Sequence, residues 1–444
     1  MPTQTAPPPA VREGGRGSRR PADAAPQAGP ARPVPRPRPG RIGPLLLSQL
    51  VLVEAIAALV LLGMAGGRIA LIGCGVLAVL LVLPALLRWN GLGFGDALRV
   101  RLDLRARQRA ARRTELDPEA DPALVPVLEW EPALRVTAHG IEWDGGAGRK
   151  ERREIGMVGD GTFLSALIRV EAPDRPLRPA APGSPLPLSL LANALTVDDI
   201  VLDSVQVLQF SQTAPAPHLP EQALAARAYR ELPHGTSTPA LRMTWVAVRL
   251  DPELCRPAVT ARGGGEIGAR KALQRAVDQL AARLGGAGLR ATVLDAAGVT
   301  SAIGTATLPH PVAATHGRSA QPGGPARRTV EAVKSWRCDD RWHRSYWVSS
   351  WPRLDGPHAP AVVDMLTGTP SLGSSLSVTL RRAGAGAVAL TGHVRVTARG
   401  ESELAAAARQ LETRARSAGI GLLRLDHEQL PGLLATLPLG GTIR

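Results

Sequence analysis

The sequence predicts a membrane-anchored α/β protein. An N-terminal transmembrane helical hairpin is followed by a cytoplasmic α/β region whose two halves read as a duplication. Three observations predict it. Two long apolar runs stand side by side near the N-terminus, arginines crowd both flanks of that pair, and a strand–helix–turn–strand–helix pattern occurs twice farther along.

Residues 1–41 are rich in Pro, Ala, Gly and Arg and bury too little apolar surface to offset chain entropy, which predicts a disordered tail. Residues 42–88 hold the apolar runs, Pro44 to Met64 and Ile69 to Leu87, separated only by Ala65, Gly66, Gly67 and Arg68. At about 1.5 Å per residue each run reaches across a hydrocarbon core, and so short a turn makes a tight hairpin. Eight arginines precede the hairpin (Arg12 to Arg41) and eight follow it by Arg113, which places both termini in the cytoplasm of a plasma (inner) membrane protein. Gln49 and Glu54 lie inside the first run. A carboxylate there costs several kcal/mol against lipid, so the pair is expected to make an intramembrane polar contact with a partner helix.

Residues 89–123 form a basic juxtamembrane segment. On a helix Leu98, Leu102 and Arg105 are neighbours, a pattern suited to anionic lipid headgroups. The soluble region divides into a first half, 124–308, a Gly/Pro-rich linker or loop, 309–328, and a second half, 329–444. Thr137–Trp143, Thr162–Val170, Val201–Phe210 and, most clearly, Thr244–Leu250 read as strands. Leu188–Leu195, Leu224–Leu232 and Gly268–Leu284 read as helices, the last with Ala272, Leu273, Ala276, Val277 and Leu280 on one face. Ala287 to Val299 aligns without a gap on Ala418 to Leu430, each stretch following a strand and a long Ala/Leu/Arg helix.

A net charge of +15 raises nucleic acid as a partner. Of the basic residues, however, only Lys150, Lys271 and Lys334 are lysine, the signature of codon bias, and the excess gathers beside the apolar runs. No nucleic-acid partner is expected. Cys74, Cys255 and Cys338 are widely spaced and match neither a disulfide framework nor a zinc site, so no metal or other cofactor is expected.

Gly263, Gly264, Gly265 and Gly268 open the best helix, where free N–H groups and the helix dipole could hold an anion. Walker A fails because Lys271 is followed by Ala272, and the loop from Leu250 is too long for a dinucleotide turn. Asp426, His427 and Glu428 are adjacent rather than spaced to converge, and no GxSxG elbow exists. With no catalytic constellation the chain is not expected to be an enzyme. The alternative is a membrane-tethered enzyme or binding module for an anionic or nucleotide-sugar ligand, using the glycine loop with Asp198, Asp199 or Asp426.

Four of the eight tryptophans lie in Trp336 to Trp351. Trp342, Arg344, Tyr346, Trp347 and Trp351 fit a partner interface, and the same residues fit a strand packed on both faces.

In order and spacing, Trp245 to Pro252 (WVAVRLDP), Ala287 to Asp295 (AGLRATVLD), Trp342 to Pro352 (WHRSYWVSSWP) and Leu425 to Gly441 (LDHEQLPGLLATLPLGG) resemble the EccE family of type VII secretion. The resemblance spans about residue 44 to residue 444. It implies a non-enzymatic subunit of an actinobacterial inner-membrane secretion complex, beside EccB-, EccC- and EccD-like proteins. EccD would be the most direct contact and EccC would supply the ATPase.

Overall fold

The computed structural model describes residues 92–144 (116 and 118 excepted), 150–172, 186–213, 239–310, 327–352 and 359–441 (385 excepted), with scattered positions elsewhere. The two apolar runs lie almost wholly outside the described residues, as do Gln49, Glu54, most of the predicted helix 224–232 and most of the predicted linker. Among the described residues no helix is long and apolar enough to cross a membrane.

One largely antiparallel sheet organises what is described, with the two residues Pro33–Val34 added in parallel beside Val388–Ala389. After that short strand come β1 (Arg135–Asp144), β2 (Lys150–Gly159), β3 (Leu164–Glu171), β4 (Ser204–Thr213), β5 (Pro239–Leu250) and β6 (Arg290–Val293). The next six are β7 (Thr329–Glu331), β8 (Trp336–Cys338), β9 (Arg341–Ser350), β10 (Gly373–Ala383), β11 (Ala387–Ala398) and β12 (Gly421–Arg424). The helices are α1 (Phe94–Arg113), α2 (Val125–Leu128), α3 (Leu188–Asn193), α4 (Arg256–Ala261), α5 (Gly265–Gly286), α6 (Ala296–Thr307), α7 (Ala359–Thr367), α8 (Glu401–Ser417) and α9 (Gln429–Ala435).

Across the sheet the order is β7-β8-β9-β11-β10-β4-β5-β3-β2-β1, with β6 added beside β3 and β12 beside β9. From either outer edge inwards, the strands of that side therefore follow one order: first, second, third, fifth, fourth. The registers repeat as well. Ile168 of β3 stands opposite Val246 and Val293, and Tyr346 of β9 stands opposite Val394 and Arg424. The helices α5 and α8 end in the same cap. Gly288 (φ 82°) and Gly419 (φ 70°) take the left-handed conformation that only glycine adopts at little cost. In each case the next residue donates back into the helix, Leu289 to the Leu284 carbonyl and Ile420 to the Ala415 carbonyl.

Alternation of side chains sorts the core onto the two faces. Val246, Val248 and Leu250 of β5 pack with the α5 stripe Ala272, Leu273, Ala276, Val277 and Leu280. On the same face of the sheet, Tyr346, Val394 and Val396 pack under the α8 residues Leu404, Ala408 and Leu411. The opposite face carries Leu208, Phe210, Trp245 and Ala247 beneath Val299 and Ile303 of α6 and Leu433 of α9. Two strands lack the plain apolar pattern of the others, each for a physical reason. β2 begins with the charged Lys150 to Arg153, and β10 alternates leucine and valine with Ser375, Ser377 and Thr379. That hydroxyl row is buried against polar partners from neighbouring strands: Gln206 Nε2 of β4 donates to Ser377 Oγ (2.8 Å) and to the carbonyls of Ala435 and Leu437 (3.0 Å each), and Arg395 Nη2 of β11 donates to Ser375 Oγ (3.2 Å).

Candidate functional site

β9 brings the tryptophan-rich segment into the sheet, and burial divides it. Tyr346 is fully buried and donates from its hydroxyl to Glu412 (2.9 Å). Burial, and then the neighbouring Glu412 carboxylate, push the phenol well up from its ordinary value. For Glu412 burial acts to raise the pKa, but hydrogen bonds from Arg424 and Tyr346 outweigh it and leave the carboxyl lowered. Arg344 is buried and donates to the Lys334 carbonyl (2.9 Å). Tyr346 and Arg344 are thus occupied by the domain itself. Trp351 lies just past β9 and packs on the Tyr346 and Val348 side, not on the Trp347 side that simple alternation gives. Its ring covers Gly392, where a Cβ would overlap it. Trp342 and Trp347 stay half-buried, Trp342 beneath the Arg337 guanidinium at 5.9 Å and Trp347 opposite the exposed Leu423.

The glycine loop has a local cause. The N–H groups of Gly263 and Gly264 donate to the Thr260 and Val259 carbonyls and close α4, and Gly263, Gly264 and Gly265 all have positive φ (108°, 69°, 53°). Gly268 lies against the Val259 carbonyl oxygen with no room for a methyl group. The run therefore turns one helix into the next. Asp199 pairs with Arg262 (2.7 Å), whose hydrogen bonds hold its carboxyl below the usual range, and Asp198 pairs with Arg275 (3.2 Å). A cavity of about 630 Å³ opens beside Gly265, but Asp160, Glu253 and Glu266 line it along with Arg135 and Arg256, which leaves little net attraction for an anion. It includes none of Asp198, Asp199 and Asp426. Gly268→Ala is expected to destabilise the protein by about 1–3 kcal/mol through overpacking at Val259. Thermal melts of the variant with and without added phosphate check this. A phosphate-dependent difference between the two proteins would favour an anion site instead.

Asp426 to Glu428 do not converge. The N–H of His427, which has a positive φ of 69°, donates to the Val333 carbonyl (2.6 Å), and its own carbonyl accepts from Arg107 (2.7 Å). No group of three His, Cys, Asp or Glu side chains among the described residues could hold a metal ion.

The arrangement least visible in the sequence is the seat of α1. Leu104, Arg107, Gln108 and Ala111 fall on one helical face, and that face is docked on the sheet edge. Arg107 grips the fully buried Glu331 of β7 through Nε (3.1 Å) and Nη2 (3.0 Å). The same carboxylate accepts the Leu430 N–H of α9 (3.0 Å), and Gln108 donates to the Glu331 carbonyl (2.8 Å). This two-point guanidinium–carboxylate contact fixes α1 against the second half. Within a run of arginines nothing in the sequence distinguishes Arg107, so its role was not legible there.

The family model described as "Putative type VII ESX secretion system translocon, EccE" matches residues 238–348. No curated protein matches the chain. The matched stretch runs from β5 through α5, β6 and α6 into the tryptophan-rich β9, taking in two of the sequence signatures and the first part of a third. Over these residues the chain is similar to the EccE family, described as a putative translocon of the type VII ESX secretion system.

Proposed function

We propose that this protein is a non-enzymatic structural subunit of the type VII secretion membrane complex. Its two apolar runs cross the inner membrane as a hairpin with both termini in the cytoplasm, and its sheet meets neighbouring subunits. EccD-like proteins are the most direct of these, with EccB- and EccC-like proteins in the same assembly. One observation carries the reading: several of the described polar groups that could have done chemistry are engaged in internal structure. Tyr346 and Glu412 hold each other, Asp199 holds Arg262, and Glu331 holds α1. The half-buried rings of Trp342 and Trp347 are left as anchors for a neighbour. The repeated strand order and register support a duplication of the 124–308 and 329–444 halves, and Gln49 and Glu54 would meet a partner helix within the bilayer.

Gentle solubilisation of native membranes, recovery of the tagged protein and mass spectrometry of its companions test this. Stoichiometric EccD- and EccC-like proteins are expected, with the EccD-like protein reduced by Trp347→Ala. Recovery of the protein alone, under conditions that keep other membrane complexes together, would overturn the reading.

A further inference from the structure

We propose that the outer face of α1 is a docking surface for an anionic lipid bilayer, and that the Arg107–Glu331 clamp on its inner face sets the angle at which the sheet meets the membrane.

The inner face is used up by Leu104, Arg107, Gln108 and Ala111. At 100° per residue the opposite face is lined by Leu98, Leu102, Arg105, Arg109 and Arg113, with Arg99 and Arg112 beside them. Leu98 and Leu102 are 47% and 52% exposed, unusual for leucines on a helix whose other side is already buried. Asp103 is the one acidic residue between Leu98 and Arg113. Cationic side chains with an apolar pair at one end are what a headgroup layer takes: guanidiniums to the phosphates, leucines into the acyl boundary. The ordering along the helix agrees. The leucines lie toward its N-terminal end, which follows the Ile69–Leu87 apolar run by only a few residues, and the arginines continue away from it.

Charge selects the bilayer over an apolar protein groove, because burying this many guanidiniums at a protein interface requires a matching set of carboxylates. Each cationic residue near an anionic surface adds about 1 kcal/mol, so the arginines of this face together supply a substantial, salt-sensitive attraction. The clamp turns that attraction into orientation. Because α1 is joined to β7 and α9 through one buried carboxylate, the sheet cannot tilt independently of the helix. The inference does not depend on which protein neighbours the subunit has.

The test uses the full-length chain, reconstituted in vesicles of phosphatidylcholine alone or with about a third phosphatidylglycerol. A polarity-sensitive fluorophore is attached at Leu102→Cys. A blue shift is expected in the phosphatidylglycerol vesicles only. It should disappear at high salt and in the Arg105→Glu/Arg109→Glu/Arg113→Glu variant, whose melting temperature should be unchanged because all three side chains are exposed. Equal emission in both vesicle types would overturn the proposal. So would a blue shift that persists in the triple variant while that variant loses a protein companion on purification, since the face would then be a subunit contact. Glu331→Gln separates the two parts: the blue shift should remain, while the spread of sheet orientations seen by cryo-electron microscopy of the vesicles should widen.

Discussion

A chain ending at Thr436 is expected to lose the cooperative unfolding transition of the soluble region. After α9 the backbone leaves the second half and crosses the first. Ser165 Oγ donates to the Leu439 carbonyl (2.9 Å), Ser204 Oγ donates to the Gly440 carbonyl (2.5 Å), and the Gly440 N–H donates to Gln206 Oε1 (2.8 Å). Leu437 and Leu439 are fully buried in the shared core beside Leu208, Trp245 and Phe210. Losing two such leucines costs about 2–5 kcal/mol each, and each buried polar group left without its partner adds about 1–3 kcal/mol. That loss is comparable with the whole stability of a typical domain, about 5–15 kcal/mol. Thermal melts followed by circular dichroism provide the check, and an unchanged transition would mean the halves hold together without this strap. A milder form of the same experiment is Gly440→Ala. Gly440 has a φ of 88°, and a Cβ there would collide with Arg249, so a clear fall in melting temperature is expected without global unfolding.

The second large effect is expected at Arg395 in β11. Its guanidinium is fully buried, and it meets the Ala306 carbonyl at the end of α6, Ser375 Oγ (3.2 Å) and His343 Nδ1 (3.2 Å), with no carboxylate among these partners. A guanidinium can only donate, so His343 Nδ1 must accept and the proton lies on Nε2. Thr397 Oγ1 then donates to the same nitrogen (2.9 Å). Burial, followed by the positive charges of Arg395 and Arg341, holds His343 well below its ordinary value, in keeping with that neutral tautomer. Burial also pushes Arg395 down to about 9. The negative end of the α6 dipole at Ala306 offsets part of this charge. Arg395→Ala is expected to destabilise by about 3–5 kcal/mol, because it takes the buried donor away from the Ala306 carbonyl and Ser375 Oγ and leaves a cavity. Arg395→Met fills the volume and removes the buried charge, so its loss should be well under half of that. Urea unfolding of the two variants separates these outcomes. Equal losses would show that the hydrogen bonds, not the volume, dominate.

Local regularity made much of this protein legible from its residues. TWVAVRL is a short, mostly apolar, β-branched run, and β5 is buried on both faces, Val246, Val248 and Leu250 on one and Trp245 and Ala247 on the other. The α5 stripe has helical spacing, and all five of its residues are buried, together with Gly268, Ala269 and Leu284. The gapless match of Ala287–Val299 with Ala418–Leu430 carries through to equal registers in β6 and β12, because a repeated run of side chains makes a repeated face. The family signatures were equally visible, since they are short and contiguous.

What the sequence alone could not determine is where the polar groups go. The tryptophan-rich segment had the right period for two opposite outcomes, and only the packing of α8 over Tyr346 and of Trp351 over Gly392 assigned rings to the core. Arg107 meets Glu331, Ser165 meets Leu439 and Arg395 meets Ala306 across long stretches of chain. Periodicity reports which face of an element is apolar. It carries no information about which distant element will arrive to satisfy a buried charge or hydroxyl, because that choice is made by the sheet order and by desolvation once the layers close.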